Sequence, residues 1–467
     1  MIKDACGVVG LYSDRDVSSR LCNSLIALQH RGQESAGIAV FDETVKGKIN
    51  LHKSMGLVPE VFNQTILKGL KGDVGIGHVR YSTAGESIPA NSQPYLAKDP
   101  GFAIAMNGNI PNYQELKRTM SNSTFDTTSD LELVAHLLTA ALKEKSDWFK
   151  AIEDTMEKLV GAYTLVILTE KGELIAVRGP LGIRPLCLGR IDETYVIASE
   201  TSALDSLRAR LIRDVEPGEV VLIDERGLQT RLLDLRPHAH CMFEWVYFAR
   251  ADSVVEGISV HAVRERLGRN LAREHPVDCD IVIPVPDSGR SAASGFAMES
   301  GKPLLEGFIK NRYLGRTFIM PHQNEREEHL KFNPIKTVVK GKRVVLVDDS
   351  IVRGTTLPKL VHLLKSAGSR EVHVRISCPP IRSPCLYGID FPTFEELIAS
   401  EKSVSEIREK VKADSLVYQT VDGLIEAIGL PREELCLACL TGKYPTRFGD
   451  IGLEQLREIC GRTGGKG

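Results

Sequence analysis

No apolar run in this 467-residue chain approaches the ~18 residues of a membrane-spanning helix. The N-terminus, MIKDACGVVGLY, has no apolar core of a secretory signal. Neither sign of charge dominates: 59 Lys and Arg against 61 Asp and Glu leave a net charge of −2. That balance gives no electrostatic reason to expect nucleic acid or a membrane surface as partner. Repeats and low-complexity segments are also lacking. The expected location is cytoplasmic. The ten cysteines are then reduced, metal-bound or catalytic rather than a disulfide frame. What is present is globular material, 42% hydrophobic and 26% charged. The length suits roughly two to four domains.

The texture changes along the chain. Residues 7–12, 37–41, 75–78, 102–106, 163–168, 174–177, 195–198 and 220–223 are apolar and β-branched, bounded by Gly, Pro, Asn or Asp. They read as strands. Residues 18–28, 130–144 and 148–159 carry helical periodicity. Strands in runs, without regular alternation, predict layered α+β. From about residue 260, helices 260–274, 291–300 and 357–367 alternate with strands 280–285, 344–347 and 372–377. That predicts α/β with a parallel sheet. The boundary falls near residues 236–252. Residues 312–340 are long, polar and charged, as in a lid or a disordered loop.

The stretch RVVLVDDSIVRGTT, residues 343–356, joins a buried strand to a helix through a polar turn. In open parallel sheets, ligands sit beyond the carboxyl ends of the strands. Unpaired N–H groups at a helix start favour phosphate. Gly354 lets the backbone come close, and Thr355 and Thr356 add hydroxyl donors. The Asp348 and Asp349 carboxylates are acceptors, suited to sugar hydroxyls or a metal. Together these describe a phosphorylated-sugar site. The stretch resembles the 5-phosphoribosyl 1-diphosphate (PRPP) loop of type I phosphoribosyltransferases. By that resemblance Asp348 and Asp349 hold the ribose, and Ser350, Ile351, Val352, Arg353, Gly354, Thr355 and Thr356 cradle the 5-phosphate. The turn 285–289, VPDSG, could be a helix cap. In the resembled family it faces the diphosphate, with Ser288 at the Mg²⁺ site beside Asp348 and Asp349. Residues 310–319 resemble that family's mobile loop. Lys310 and Arg312 there are implied diphosphate partners; as bare residues they read equally as a solvated strand end.

Cys6 precedes the first strand. Alone, it reads as a small buried hydrophobe. The ordered stretches HRGQESAG (30–37), GHVRYST (77–83), NGN (107–109) and TSD (128–130) change that reading. They resemble the N-terminal-nucleophile (class II) glutamine amidotransferases, an αββα sandwich. The resemblance implies a catalytic Cys6, an oxyanion site from the Asn107 side chain and the Gly108 N–H, and glutamine binding by Arg31, Arg80 and Asp130. Arg31 would shape the cysteine pocket, Arg80 would take the carboxylate, and Asp130 the ammonium. As residues alone, Arg80 fits a surface ion pair and Asp130 a helix N-cap. An amine close to the thiol can act as its base. The resemblance therefore implies removal of residues 1–5 as a propeptide.

Both halves together resemble the family of glutamine-dependent PRPP amidotransferases. It implies a glutaminase domain at 6–235, a linker at 236–259 and a phosphoribosyltransferase domain at 260–467. The implied reaction converts PRPP, glutamine and water to 5-phosphoribosylamine, glutamate and diphosphate, the first committed step of purine synthesis. The family further implies one Mg²⁺ per subunit, a homotetramer and inhibition by purine nucleotides. A PRPP-sensing regulator without catalysis would need a DNA-binding module and a basic face; neither is seen.

Cys436 and Cys439 form a CxxC, with Cys241 and Cys385 far upstream. Spacing alone suits zinc or a [4Fe–4S] cluster equally. The surrounding stretches PCLYGID (384–390), CLACLTGKYP (436–445) and HCMFE (240–244) resemble the iron–sulfur branch of the family. That implies one [4Fe–4S] cluster per subunit on Cys241, Cys385, Cys436 and Cys439. Cys22, Cys187, Cys279, Cys378 and Cys460 read as buried or free thiols.

Overall fold

The structure, a computed structural model, describes residues 6–45, 48–81, 86–120, 124–234, 236–310, 332–391 and 393–447. The expected propeptide at 1–5, Arg312, most of the expected lid and Cys460 lie outside them.

The first half is two antiparallel sheets stacked face to face. One has seven strands, in the order Arg210–Asp214, Cys187–Ile191, Thr194–Ala198, Gly7–Tyr12, Val74–Arg80, Ser35–Phe41 and Ile49–Met55. The other has six: Gly227–Leu232, Glu219–Asp224, Leu174–Arg178, Ala162–Thr169, Gly101–Asn109 and Tyr95–Lys98. Side chains alternate between faces along each strand. Val8 enters the core between the sheets with Ile76, Ala105, Val166 and Ile197. Val9 and Leu11 point the other way, to Leu21 and Leu25 of helix Ser18–Ala27. On the far side, Ile104 and Leu165 pack against Val134 and Leu138 of helix Asp130–Lys145 and Ile152 of helix Trp148–Met156. Both faces of both sheets are covered, giving the expected αββα order.

The second half holds a four-stranded parallel sheet, Ile281–Pro284, Arg343–Asp348, Glu371–Ile376 and Ser415–Tyr418. Val282, Val345 and Val347 face helices Val260–Glu274 and Arg290–Ser300. Ile283, Val344 and Leu346 face the opposite core, with Leu357 and Leu360 of helix Thr356–Ser366. Between the halves, His240–Cys241 pairs in parallel with Leu435–Cys436, setting Cys241 opposite Cys436. A π-helical turn, Glu244–Phe248, follows directly.

Candidate active sites

Cys6 stands at the start of strand Gly7–Tyr12, where Gly7 pairs with Val79. Its thiol donates to the Tyr81 carbonyl at 3.3 Å. Burial pushes the thiol pKa up, against that hydrogen bond and the Arg80 charge. Arg31 Nε donates to the Cys6 carbonyl at 3.2 Å. The same guanidinium reaches the Glu244 carboxylate at 2.7 and 3.0 Å, and Glu200. Burial opposes the charge, but Glu244 and Glu200 hold Arg31 cationic. Against its own burial, Glu200 is held ionised by His30 and Arg31. Arg31 is therefore fully buried and committed to protein partners. It was expected to shape the cysteine pocket, and it grips the Cys6 main chain.

Arg80 ends strand Val74–Arg80 and pairs with Glu34 at 2.6 Å. Its side chain is only 2% exposed, so the surface ion pair is excluded. Asp130 is the first residue of its helix, and the N-cap is Ser129, whose hydroxyl accepts from the Leu131 N–H. Asp130 Oδ2 accepts from the Ile110 N–H at 3.1 Å. Burial raises the Asp130 pKa to about 6, against Arg80 and these backbone donors.

Asn107 lies in strand Gly101–Asn109 with no exposed surface. Neither its Nδ2 nor its Oδ1 has a hydrogen-bond partner among the described residues. Buried amides are nearly always satisfied, and an orphan of this kind is expected where a ligand completes it. Gly108 follows with φ +157°; a Cβ there would lie 1.9 Å from the Ala162 carbonyl. Only glycine fits that bend.

Residues of the second half close this site from behind. Asn109 Nδ2 donates to the Leu386 carbonyl at 2.8 Å. Arg184 donates to the Tyr387 carbonyl at 2.7 Å and to Glu244 at 3.2 Å. The Tyr81 hydroxyl lies 3.4 Å from Asp390 Oδ2. Glu244 thus joins two buried arginines, one at the nucleophile and one at residues 385–390. Glu200, Glu244 and Arg184 escaped the sequence reading. Glu244 sat inside the quoted HCMFE, but nothing in a linear pattern names the partner of a buried charge.

The second site is a cavity of about 230 Å³ at the carboxyl ends of strands Ile281–Pro284 and Arg343–Asp348. Its walls are residues 285–288, Lys310 and the whole of 348–357, so Ser288, Asp348, Asp349 and the loop from Ser350 to Thr356 share one space. Asp348 and Asp349 are buried. Burial and then the neighbouring Asp349 carboxylate push Asp348 well above the carboxylate range. The Asp349 N–H donates to Asp348 Oδ1 at 3.0 Å, and Ser350 Oγ to Asp349 Oδ2 at 2.5 Å. Gly354 takes φ +64°. The helix begins at Thr356, one residue before the predicted start, and Thr355 caps it without a side-chain bond. Lys310 Nζ meets Asp287 Oδ2 at 2.8 Å. Arg353 turns to Glu396 at 2.9 Å.

Cys241, Cys385, Cys436 and Cys439 line one small cavity with Arg184. Burial raises all four thiols, Cys241 to about 12, with Arg184 pulling Cys241, Cys385 and Cys436 back down. Cys22, Cys187, Cys279 and Cys378 are buried free thiols.

A glutamine amidotransferase domain model matches residues 78–206, and a phosphoribosyl transferase domain model matches residues 260–384. Amidophosphoribosyltransferase of Methanocaldococcus jannaschii is 50% identical over 94% of this chain and 98% of its own length. The chain belongs to the amidophosphoribosyltransferase family. The Methanothermobacter thermautotrophicus amidophosphoribosyltransferase is 48% identical over 99% of both chains. A solved glutamine PRPP amidotransferase from Bacillus subtilis, complexed with ADP and GMP, is 44% identical. It covers 97% of this chain, and all of its own, at a TM-score of 0.88. As a member of the family, the chain is a glutamine-dependent phosphoribosyl-transferring enzyme of purine synthesis. Its two matched domains are the two halves described above.

Asp130 as the proposed counter-charge of glutamine's ammonium carries a pH expectation. Below about pH 6 its carboxylate takes its proton, and an ammonium held there would lose its counter-charge. With glutamine, kcat/KM should then fall about tenfold per pH unit below that pKa. Ammonia-dependent synthesis should not share this limb. An Asp130→Asn variant retaining the same acid limb would remove the assignment.

Proposed function

We propose that glutamine is hydrolysed at Cys6 and that the ammonia reaches PRPP at the 348–356 loop. The observation that carries the first half is the orphaned Asn107 amide beside Gly108. The Cys6 thiolate attacks the glutamine amide carbon; a C–S bond forms, and the carbonyl oxygen takes negative charge. The Asn107 Nδ2 and the Gly108 N–H receive that oxyanion. The C–N bond breaks and ammonia leaves with the proton; water then cleaves the thioester to glutamate. The α-amine of Cys6, freed by removal of residues 1–5, is the base. Arg80 and Asp130 hold the amino-acid end of glutamine, while Arg31 fixes the Cys6 backbone.

Ammonia then displaces diphosphate from PRPP, giving 5-phosphoribosylamine. Asp348 and Asp349 hold the ribose hydroxyls. The N–H groups and hydroxyls of Ser350, Ile351, Val352, Arg353, Gly354, Thr355 and Thr356 hold the 5-phosphate. The buried Asp348–Asp349 pair with Ser288 fits a hard cation. Mg²⁺ held there would offset the charge of the diphosphate. Lys310 and Arg312 would meet the leaving group. Asp348→Asn should raise the KM for PRPP by roughly ten- to a hundredfold, as loss of a charged hydrogen bond implies. Basal glutamine hydrolysis should persist. Unchanged PRPP affinity in both Asp348→Asn and Asp349→Asn would end the sugar-contact role.

The four cysteines that line one small cavity, in stretches that resemble the iron–sulfur branch of the family, support a [4Fe–4S] cluster. It would be structural, tying the linker at 236–259 to the 260–467 domain. Anaerobically purified protein should hold about four iron and four sulfide per chain, and its intact mass should begin at Cys6. Stoichiometric zinc without iron would overturn the cluster. Full activity in protein retaining residues 1–5 would overturn the amine as base. A homotetramer, a cytoplasmic location and inhibition by purine nucleotides complete the reading; the ADP and GMP in the Bacillus subtilis structure support the last. No helix among the described residues is long and apolar enough to cross a membrane.

A further inference from the structure

We propose a second metal site, formed by His238, His240 and Glu434, on the outer side of the junction between the two halves. One ring nitrogen of each histidine and one carboxylate oxygen of Glu434 all lie within 4.8 Å of one another. His240 is buried, while the other two are half-buried, so the group is reachable from solvent. The two rings meet edge to face, with centroids 5.5 Å apart.

The surroundings of His240 fit a ligand. Its Nδ1 lies 3.1 Å from the Gly182 carbonyl, which can only accept a proton. It also lies 3.3 Å from the Arg178 guanidinium and 3.4 Å from Glu256. A metal at Nε2 selects the tautomer with the proton on Nδ1, and the Gly182 carbonyl receives that proton. Histidine ligands almost always donate their other N–H to a carbonyl or carboxylate in this way. Glu256 pairs with Arg178 and shields the cation from the guanidinium's charge. Two imidazoles and one carboxylate suit a borderline divalent ion such as Zn²⁺ or Co²⁺, with positions left for water.

The place in the fold gives the site a role. His240 pairs with Leu435, the residue after Glu434, in the same two-residue parallel bridge that sets Cys241 opposite Cys436. An ion here cross-links the linker to the C-terminal segment from outside the four-cysteine cavity.

The test uses Co²⁺ titrated into the full-length holoenzyme, followed by calorimetry and visible absorption. Expected are one equivalent per chain and at least tenfold weaker binding in His238→Ala and in Glu434→Gln. Glu434→His keeps a third ligand and should retain binding, which separates ligation from a folding defect. Iron content should be the same before and after titration. Equal Co²⁺ affinity in wild type and His238→Ala would overturn the site. So would Co²⁺ uptake that occurs only as iron is released, because the ion would then sit on the thiols.

Discussion

Cys6→Ala is expected to lose glutamine-dependent phosphoribosylamine formation by a factor on the order of 10⁴ or more, as removal of a sole nucleophile does. Synthesis from added ammonia should remain. The two candidate sites occupy different places: the thiol sits at the end of the antiparallel sandwich, and the Asp348–Asp349 cavity at the carboxyl edge of the parallel sheet. The substitution removes only a sulfur. The strand's backbone grip by Arg31 acts on the Cys6 carbonyl, which alanine keeps. Parallel assays with glutamine and with ammonium salts measure both arms. Loss of both activities in a folded Cys6→Ala protein would show that the sites are not separate.

Glu244→Ala is expected to be the most damaging change away from either pocket. The Glu244 side chain is 1% exposed and faces Arg31 and Arg184, both at 0%. Removing one partner of a buried ion pair typically costs about 3–5 kcal/mol, because the remaining charge stays buried. Arg31 keeps Glu200, but among the described residues Arg184 keeps only the Tyr387 carbonyl. The thermal midpoint should drop by several degrees. Alkylation of Cys6 should change in rate as well, since Arg31 holds its main chain. Glu244→Gln, which keeps an acceptor, should lie between. A midpoint within a degree of wild type for Glu244→Ala would show that the network adds nothing to stability.

The buried strands were legible because both faces of every sheet are covered. Strand 7–12 was read at its observed limits, and strand 344–347 within one residue of each end. Edge strands escaped. Arg210–Asp214 and Gly227–Leu232 are half-exposed, with no fully buried residue, and hold their place through one neighbour each. Ile49–Met55 is likewise half-exposed at the sheet margin. Nothing in their own residues marks them, because the partner's backbone supplies the reason to be extended. The ordered motifs pointed to Cys6, Asn107 and Gly108 as candidates. They could not tell that Arg31 would be spent on two carboxylates, one of them 213 residues away. Helix starts follow the same rule: Asp130 was read as a cap, but the preceding Ser129 took that position.

The loop behind strand Gly101–Asn109 bears on how such enzymes can be recombined. Asn109 is anchored on the Leu386 carbonyl, and Gly388, at φ +94°, packs so that a Cβ would lie 3.2 Å from the Gly108 carbonyl. The strand that carries Asn107 and Gly108 therefore completes its backing only when the second half is folded. This glutaminase is not a portable cassette. A graft onto another ammonia acceptor would have to bring its own glycine and correctly placed carbonyls to that spot. The first half released on its own would present the Gly108–Asn109 end of that strand to water. In such a chimera, what transfers is the nucleophile, while the tuning of its pocket stays with the host.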